Sequence, residues 1–167
     1  SVVAHVLDPD WRGAPPPVDF EALRAEIRTV LEAYHQQWAQ AIHDVSEGGT
    51  VVAVAEMALG PNGDLRRGAR IDLGAFAGAH GDFAAAFGES GAFLVEVDAD
   101  SAADFEEAAT RHGAEFARIG EVTDQAILRV DGLQQGGVSW PLDELASARE
   151  DTMPRLLNRR ADEGGAA

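Results

Sequence analysis

Hydrophobic positions along the chain fall into runs of two different periods. Phe20, Leu23, Ile27, Val30, Leu31, Tyr34 and Trp38 recur at steps of three and four, the spacing of one helix face, with Asp19 placed to cap it and Glu21 in its first turn. That stripe is expected to pack on a core. Phe93, Val95 and Val97 alternate with their neighbours as a half-buried strand does. Further strands are read over residues 1–7, 41–45, 70–73, 115–122, 126–130 and 138–140. The apolar run 50–59 is ambiguous by period. Its alanines, Glu56 and Met57 favour helix, and the Gly60-Pro61-Asn62-Gly63 turn stops it. A short Ala-rich helix is expected over 80–87, one capped by Asp100 or Ser101 and ended by Gly113, and two more over 142–149 and 153–157.

Strand, helix, strand, strand in the second half is a split β-α-β order. It predicts an α/β (α+β) sandwich, a mixed sheet with helices packed on it, of partly ferredoxin-like topology. Residues 1–18 read as an opening strand and a connection through Pro15-Pro16-Pro17, residues 19–158 as the domain, and 159–167 as a flexible tail of mostly small residues.

Composition then removes whole classes of function. The 167 residues include no cysteine, so there is no disulfide framework, thiolate zinc site or cysteine nucleophile. No apolar run approaches the ~20 residues of a membrane helix, so a cytoplasmic chain with no membrane partner is expected. Asp and Glu number 29 against 13 basic residues, a formal charge of −16, which repels phosphate backbones and argues against a nucleic-acid partner. Every basic residue is Arg. An Arg-rich coding bias explains the missing lysine, whereas adaptation to a high-salt cytoplasm also explains the carboxylate excess. A chain opening on Ser1 fits a piece of something longer, and equally the removal of an initiator Met.

The stretch Ala41-Ile42-His43-Asp44-Val45-Ser46-Glu47-Gly48-Gly49-Thr50 is the one that suggests chemistry. Side chains two apart in an extended chain share a face, so Asp44 and Ser46 project together. Gly48 and Gly49 offer unobstructed N–H groups at a helix start. A carboxylate, a hydroxyl and bare amides suit a magnesium–phosphate group; alternatively, Asp44 or Ser46 merely caps the helix. His43 could contact phosphate or serve as a buried structural histidine. Glu89 and Ser90 could face a nucleotide cleft or shape a loop. His5, His35, His80 and His112 have no ligand spacing and read as surface or packing residues. Gly136-Gly137 reads as a turn, and Arg66-Arg67 and Arg159-Arg160 as surface ion pairs. Trp38 and Trp140 read as packing anchors, Trp140 suiting a domain interface. No residue is assigned a catalytic role.

Several short motifs occur in a fixed order: His43-Asp44-Val45-Ser46-Glu47-Gly48-Gly49, Ala55-Glu56-Met57-Ala58, Ala69-Arg70-Ile71-Asp72-Leu73, Phe87-Gly88-Glu89-Ser90, Phe93-Leu94-Val95-Glu96-Val97 and Ile119-Gly120-Glu121-Val122. Over residues 41–130 this order resembles the carboxy-terminal domain of phosphoribosylformylglycinamidine synthase, in the superfamily of aminoimidazole ribonucleotide synthetase. The resemblance implies an ATP-dependent C–N ligase of purine biosynthesis that turns formylglycinamide ribonucleotide and glutamine-derived ammonia into the formylamidine. It implies ATP and Mg2+ as cofactors, Asp44 as a metal contact, and Ser46, Gly48 and Gly49 as nucleotide contacts. The partners it implies are a small-molecule substrate, upstream domains of the same enzyme and a glutaminase domain or subunit. The family's catalytic histidines lie upstream, so this piece alone is expected to be inactive. Glu47 replaces the Asp many relatives carry, keeping the charge. Two other readings stand beside it: another ATP enzyme of the superfamily, of the selenophosphate synthetase, thiamine monophosphate kinase or hydrogenase-maturation type, and a non-catalytic acidic interaction domain.

Overall fold

Among the described residues, two β-sheets divide the strands between them. The structure is a computed structural model and describes residues 2–10, 17–60, 67–89 and 91–164. The smaller sheet is an antiparallel ribbon of β1 (Ala39–Asp44) and β3 (Phe93–Val97). The larger has the order β4-β2-β5-β6, from β2 (Gly68–Asp72), β4 (Gly120–Thr123), β5 (Ile127–Asp131) and β6 (Val138–Pro141). A parallel β2–β5 pair at its centre is flanked by antiparallel β4 and β6, so the sheet is mixed, as expected. The split β-α-β of the second half does not close within it, because β3 pairs with β1.

The main core lies between this sheet and helices α3 (Gly49–Leu59), α5 (Asp82–Phe87) and α7 (Leu142–Gly164), with α4 (Gly74–His80) adding Ala77. Leu73, Leu128, Val130 and Leu142 are its best-buried large side chains. Ambiguity over residues 50–59 resolves as helix, since Val51, Ala53, Val54, Ala58 and Leu59 are all buried. A helix buried on most sides has no polar stripe to reveal its period.

A second layer packs α2 (Phe20–His35) on α6 (Ala102–His112) and on the ribbon. Asp19 caps α2 as expected, its carboxylate accepting from the N–H groups of Glu21 and Ala22. The buried face is not the expected stripe. Ala25, Thr29 and Ala33 are buried, and Ala108 and Ala109 are buried on α6. Phe20, Ile27, Leu31 and Tyr34 are exposed, Phe20 at 70%. Small side chains let the helix axes approach closely, and the large ones then have no room between them.

Other boundaries differ from expectation. Val2–Leu7 forms helix α1, not a strand; it pairs with no strand of either sheet, and as a helix it satisfies its own backbone groups. The strand expected over 115–122 begins only at Gly120. The short Ala-rich helix expected over 80–87 is α5, which starts at Asp82, and a further helix not read in the sequence, α4, precedes it across Gly81 (φ 84°). The last two expected helices are one, continuous through Pro154 at the loss of a single backbone donor, and the expected tail is helical through Gly164. Pro15, Pro16, the Pro61–Gly63 turn, Arg66, Ser90 and residues 165–167 lie outside the described residues, as do the side chains of Arg159 and Arg160.

Candidate functional site

Strand β1 carries Asp44 at its last position, opposite Phe93 of β3. The Val45 N–H then donates to the Ala92 carbonyl at 2.8 Å, so the chain leaves the ribbon still extended. Burial alternates from Ile42 through Ser46, with Val45 buried and both Asp44 and Ser46 exposed. Those two side chains therefore share one side of the chain, as the spacing predicts. Asp44 is 66% exposed. No side chain caps α3, whose N-cap is Gly48, so capping does not account for Asp44 or Ser46.

The two glycines let the backbone turn and pack closely. Both take left-handed backbone, φ 86° at Gly48 and 73° at Gly49. A Cβ on Gly49 would stand 2.5 Å from the Phe87 carbonyl carbon and 2.6 Å from the Phe87 Cα. The start of α3 is thus pressed against the end of α5, backbone to backbone. Neither amide is left without an acceptor: Gly49 N–H donates to the Ser46 carbonyl at 3.1 Å, and Gly48 N–H donates to Glu89 Oε1 at 2.9 Å. The same Glu89 oxygen accepts from Val2 N–H at 2.7 Å. A carboxylate of the protein thus sits where a phosphate oxygen was expected.

His43 links β1 to α3. Its Nδ1 is 2.7 Å from the Asp44 carbonyl oxygen and 3.7 Å from Asp44 Oδ1, and its Nε2 is 3.4 Å from Glu56 Oε2. It is half-buried, which fits the structural role read as the alternative for it. On the far side of Glu56 an apolar groove of about 300 Å³ opens over Val51, Ala55, Phe87, Leu128, Trp140 and Leu145, with Glu56 and Arg149 as its charged walls. Asp44 and Ser46 are not part of it.

Among the described residues no group of three or more His, Asp and Glu side chains is arranged to hold a metal. A lone exposed carboxylate still suits Mg2+, which keeps several waters and is bound through one or two carboxylates plus substrate phosphates. On that chemistry Asp44 fits the group, provided the nucleotide brings the other oxygens.

Two ionic clusters away from this corner went unread in the sequence. Glu32 of α2 accepts from His112 at 2.7 Å and from Arg111, both on α6, and these hydrogen bonds hold its carboxyl below the usual range. Asp131 is held low in the same way by Arg129, then by Arg70 of the neighbouring strand. Nearby on α2, burial and the Glu115 charge push Glu26 up. The pairs Glu32–His112 and Arg70–Asp131 join residues too far apart in the chain to leave a spacing signal.

Compared with known families, residues 2–132 match the model described as AIR synthase related protein, C-terminal domain. The chain belongs to that family. This AIR synthase-related domain is 31% identical over 161 residues to phosphoribosylformylglycinamidine synthase subunit PurL of Thermobifida fusca (strain YX), covering 96% of the chain and 20% of that relative. It is 38% identical to the protein of the same name from Nocardia farcinica (strain IFM 10152), covering 94% and 19%. The domain thus spans about a fifth of the length of these curated relatives. Among solved structures, T. maritima PurL complexed with ATP shares its fold, with a TM-score of 0.62 at 22% identity over 77% of this chain and 22% of that one.

Proposed function

We propose that this domain is the carboxy-terminal part of a phosphoribosylformylglycinamidine synthase, and that Asp44 and Ser46 are its contribution to a magnesium–nucleotide site. Membership of the AIR synthase-related family, together with curated relatives that bear that enzyme's name, carries the reading. The exposed pair at the ribbon's end supports it, because neither residue is used in capping α3. In the reaction, ATP phosphorylates the amide oxygen of formylglycinamide ribonucleotide, and ammonia displaces phosphate to leave the amidine. The ammonia comes from a glutaminase domain or subunit, in keeping with the word subunit in the relatives' names. Asp44 holds Mg2+ and the Ser46 hydroxyl donates to a phosphate oxygen. Gly48 and Gly49 contribute mainly by shape. For the Gly48 amide to reach phosphate, that oxygen must take the place of Glu89. The enzyme works in the cytoplasm, and the domain has no activity alone because its partner domains hold the rest of the cleft.

Titration of ATP with Mg2+ into the complete enzyme and its Asp44→Ala variant tests this. A roughly tenfold or greater loss of affinity is expected, the scale of one charge-assisted contact. Equal affinities remove Asp44 from the site, and tight stoichiometric ATP binding by this domain alone contradicts a cleft shared between domains.

A further inference from the structure

Two backbone amides at opposite ends of a long stretch of sequence, those of Val2 and Gly48, meet on one oxygen of Glu89. We propose that Glu89 is a positioning residue: its carboxylate ties α1 to the loop between β1 and α3, and so sets where Asp44 and Ser46 stand.

Three observations lead there. Glu89 is half-buried between the end of α5 and the start of β3, so its side chain is held rather than loose in solvent. Its neighbours Phe87 and Gly88 are the backbone against which Gly49 is pressed, with distances from an added Cβ of 2.5 to 2.9 Å. That contact fixes how near the loop lies, and the Gly48 bond adjacent to it fixes how the loop is turned. Finally, the amide Glu89 accepts from stands at the positive end of α3, where a negative acceptor is favoured over a neutral one. The loop begins directly after Asp44, the last residue of β1, with Ser46 within it. A shift of the loop therefore moves both side chains. Val2 on the same oxygen makes the start of α1 part of the support.

Glu89→Gln keeps an acceptor oxygen but not the charge, Glu89→Asp is one methylene too short to span the gap, and Glu89→Ala has no acceptor. Amide hydrogen exchange in the complete enzyme, read at Gly48 and across residues 2–7, is expected to quicken at both places together. The increase should be about tenfold or more in Ala and Asp and smaller in Gln, the scale of a lost charge-assisted hydrogen bond. Should Glu89→Ala fail to fold, the Gln and Asp variants carry the same comparison. Unchanged exchange at Gly48, or a change at only one of the two places, overturns the proposal. A second readout rests on the nucleotide reading above: Glu89→Ala should weaken ATP binding, and in an Asp44→Ala background it should weaken it by less, since only the part that acts through Ser46 is left. Additive losses in the double variant overturn the positioning role, whereas ATP binding insensitive to Asp44→Ala sinks only the nucleotide reading and leaves the exchange result to decide on Glu89.

Discussion

Replacing Gly49 by alanine separates a packing role from a chemical one. Two costs add. A Cβ at φ 73° places an L-residue in left-handed backbone, worth about 1–2 kcal/mol. The same Cβ would stand 2.5 Å from the Phe87 carbonyl carbon, where carbon atoms normally rest ~3.5–4.0 Å apart, so one backbone segment must move by about 1 Å. Overpacking of that kind costs about 1–3 kcal/mol, and no side-chain rotation can relieve it because the obstacle is main chain. The sum is about 2–5 kcal/mol, a large share of the ~5–15 kcal/mol that holds a typical domain folded. Gly113 provides the control. It too is left-handed, at φ 76°, but an added Cβ there meets nothing within 4 Å, so Gly113→Ala should cost only the backbone part, about 1–2 kcal/mol. Equilibrium urea unfolding of the two variants and the parent, followed by circular dichroism, measures both. Equal destabilisation by the two substitutions refutes the close contact between α3 and α5.

Other consequences concern charge. Because its partners hold Glu32 below the ordinary carboxyl value of 4.5, its ion pair stabilises the folded chain at neutral pH, and that contribution fades as pH falls below about 4.5. Urea midpoints for Glu32→Gln should therefore lie below the parent's at pH 7 and converge with it in acid. Glu26 has the opposite sign, being raised by burial and Glu115, so Glu26→Gln should stabilise at pH 7 and lose its advantage as pH falls toward 4.5; a midpoint lower than the parent's at pH 7 would contradict it. With 29 carboxylates against 13 arginines, self-repulsion should ease as salt shortens the screening length toward ~3 Å at 1 M. The melting temperature should then rise with KCl, and a flat or falling curve speaks against a surface shaped for high salt.

Local signals in the sequence were strong where one residue type decides the outcome. Asp19 capped α2, Gly113 closed α6 in left-handed backbone, and the alternation in Phe93–Val97 made a strand. Legibility failed where the outcome depends on what lies opposite. The stripe from Phe20 to Tyr34 announces an amphipathic helix, but α6 presents the small Ala108 and Ala109, and Ala25, Thr29 and Ala33 fit against them. Val2–Leu7 has strand-like residues but joins neither sheet and forms a helix. At the corner of Asp44 and Ser46 the spacing placed both side chains correctly, whereas the employment of the Gly48 and Gly49 amides depended on Glu89 and Ser46, contacts that only the fold creates.

The ribbon that carries Asp44 also has a history in time. Strand β1 finds no partner among the residues that directly follow it; its pairing waits for β3, on the far side of α3, β2, α4 and α5. Closing so long a loop is entropically costly before the contacts it brings can form, and pairings of that kind are slow. During synthesis Asp44 therefore emerges well before the strand that fixes it, and Glu89 leaves the ribosome only just ahead of β3. The corner takes shape in one late step, when the same short stretch of chain supplies both the strand opposite Asp44 and the carboxylate that turns the loop beside it.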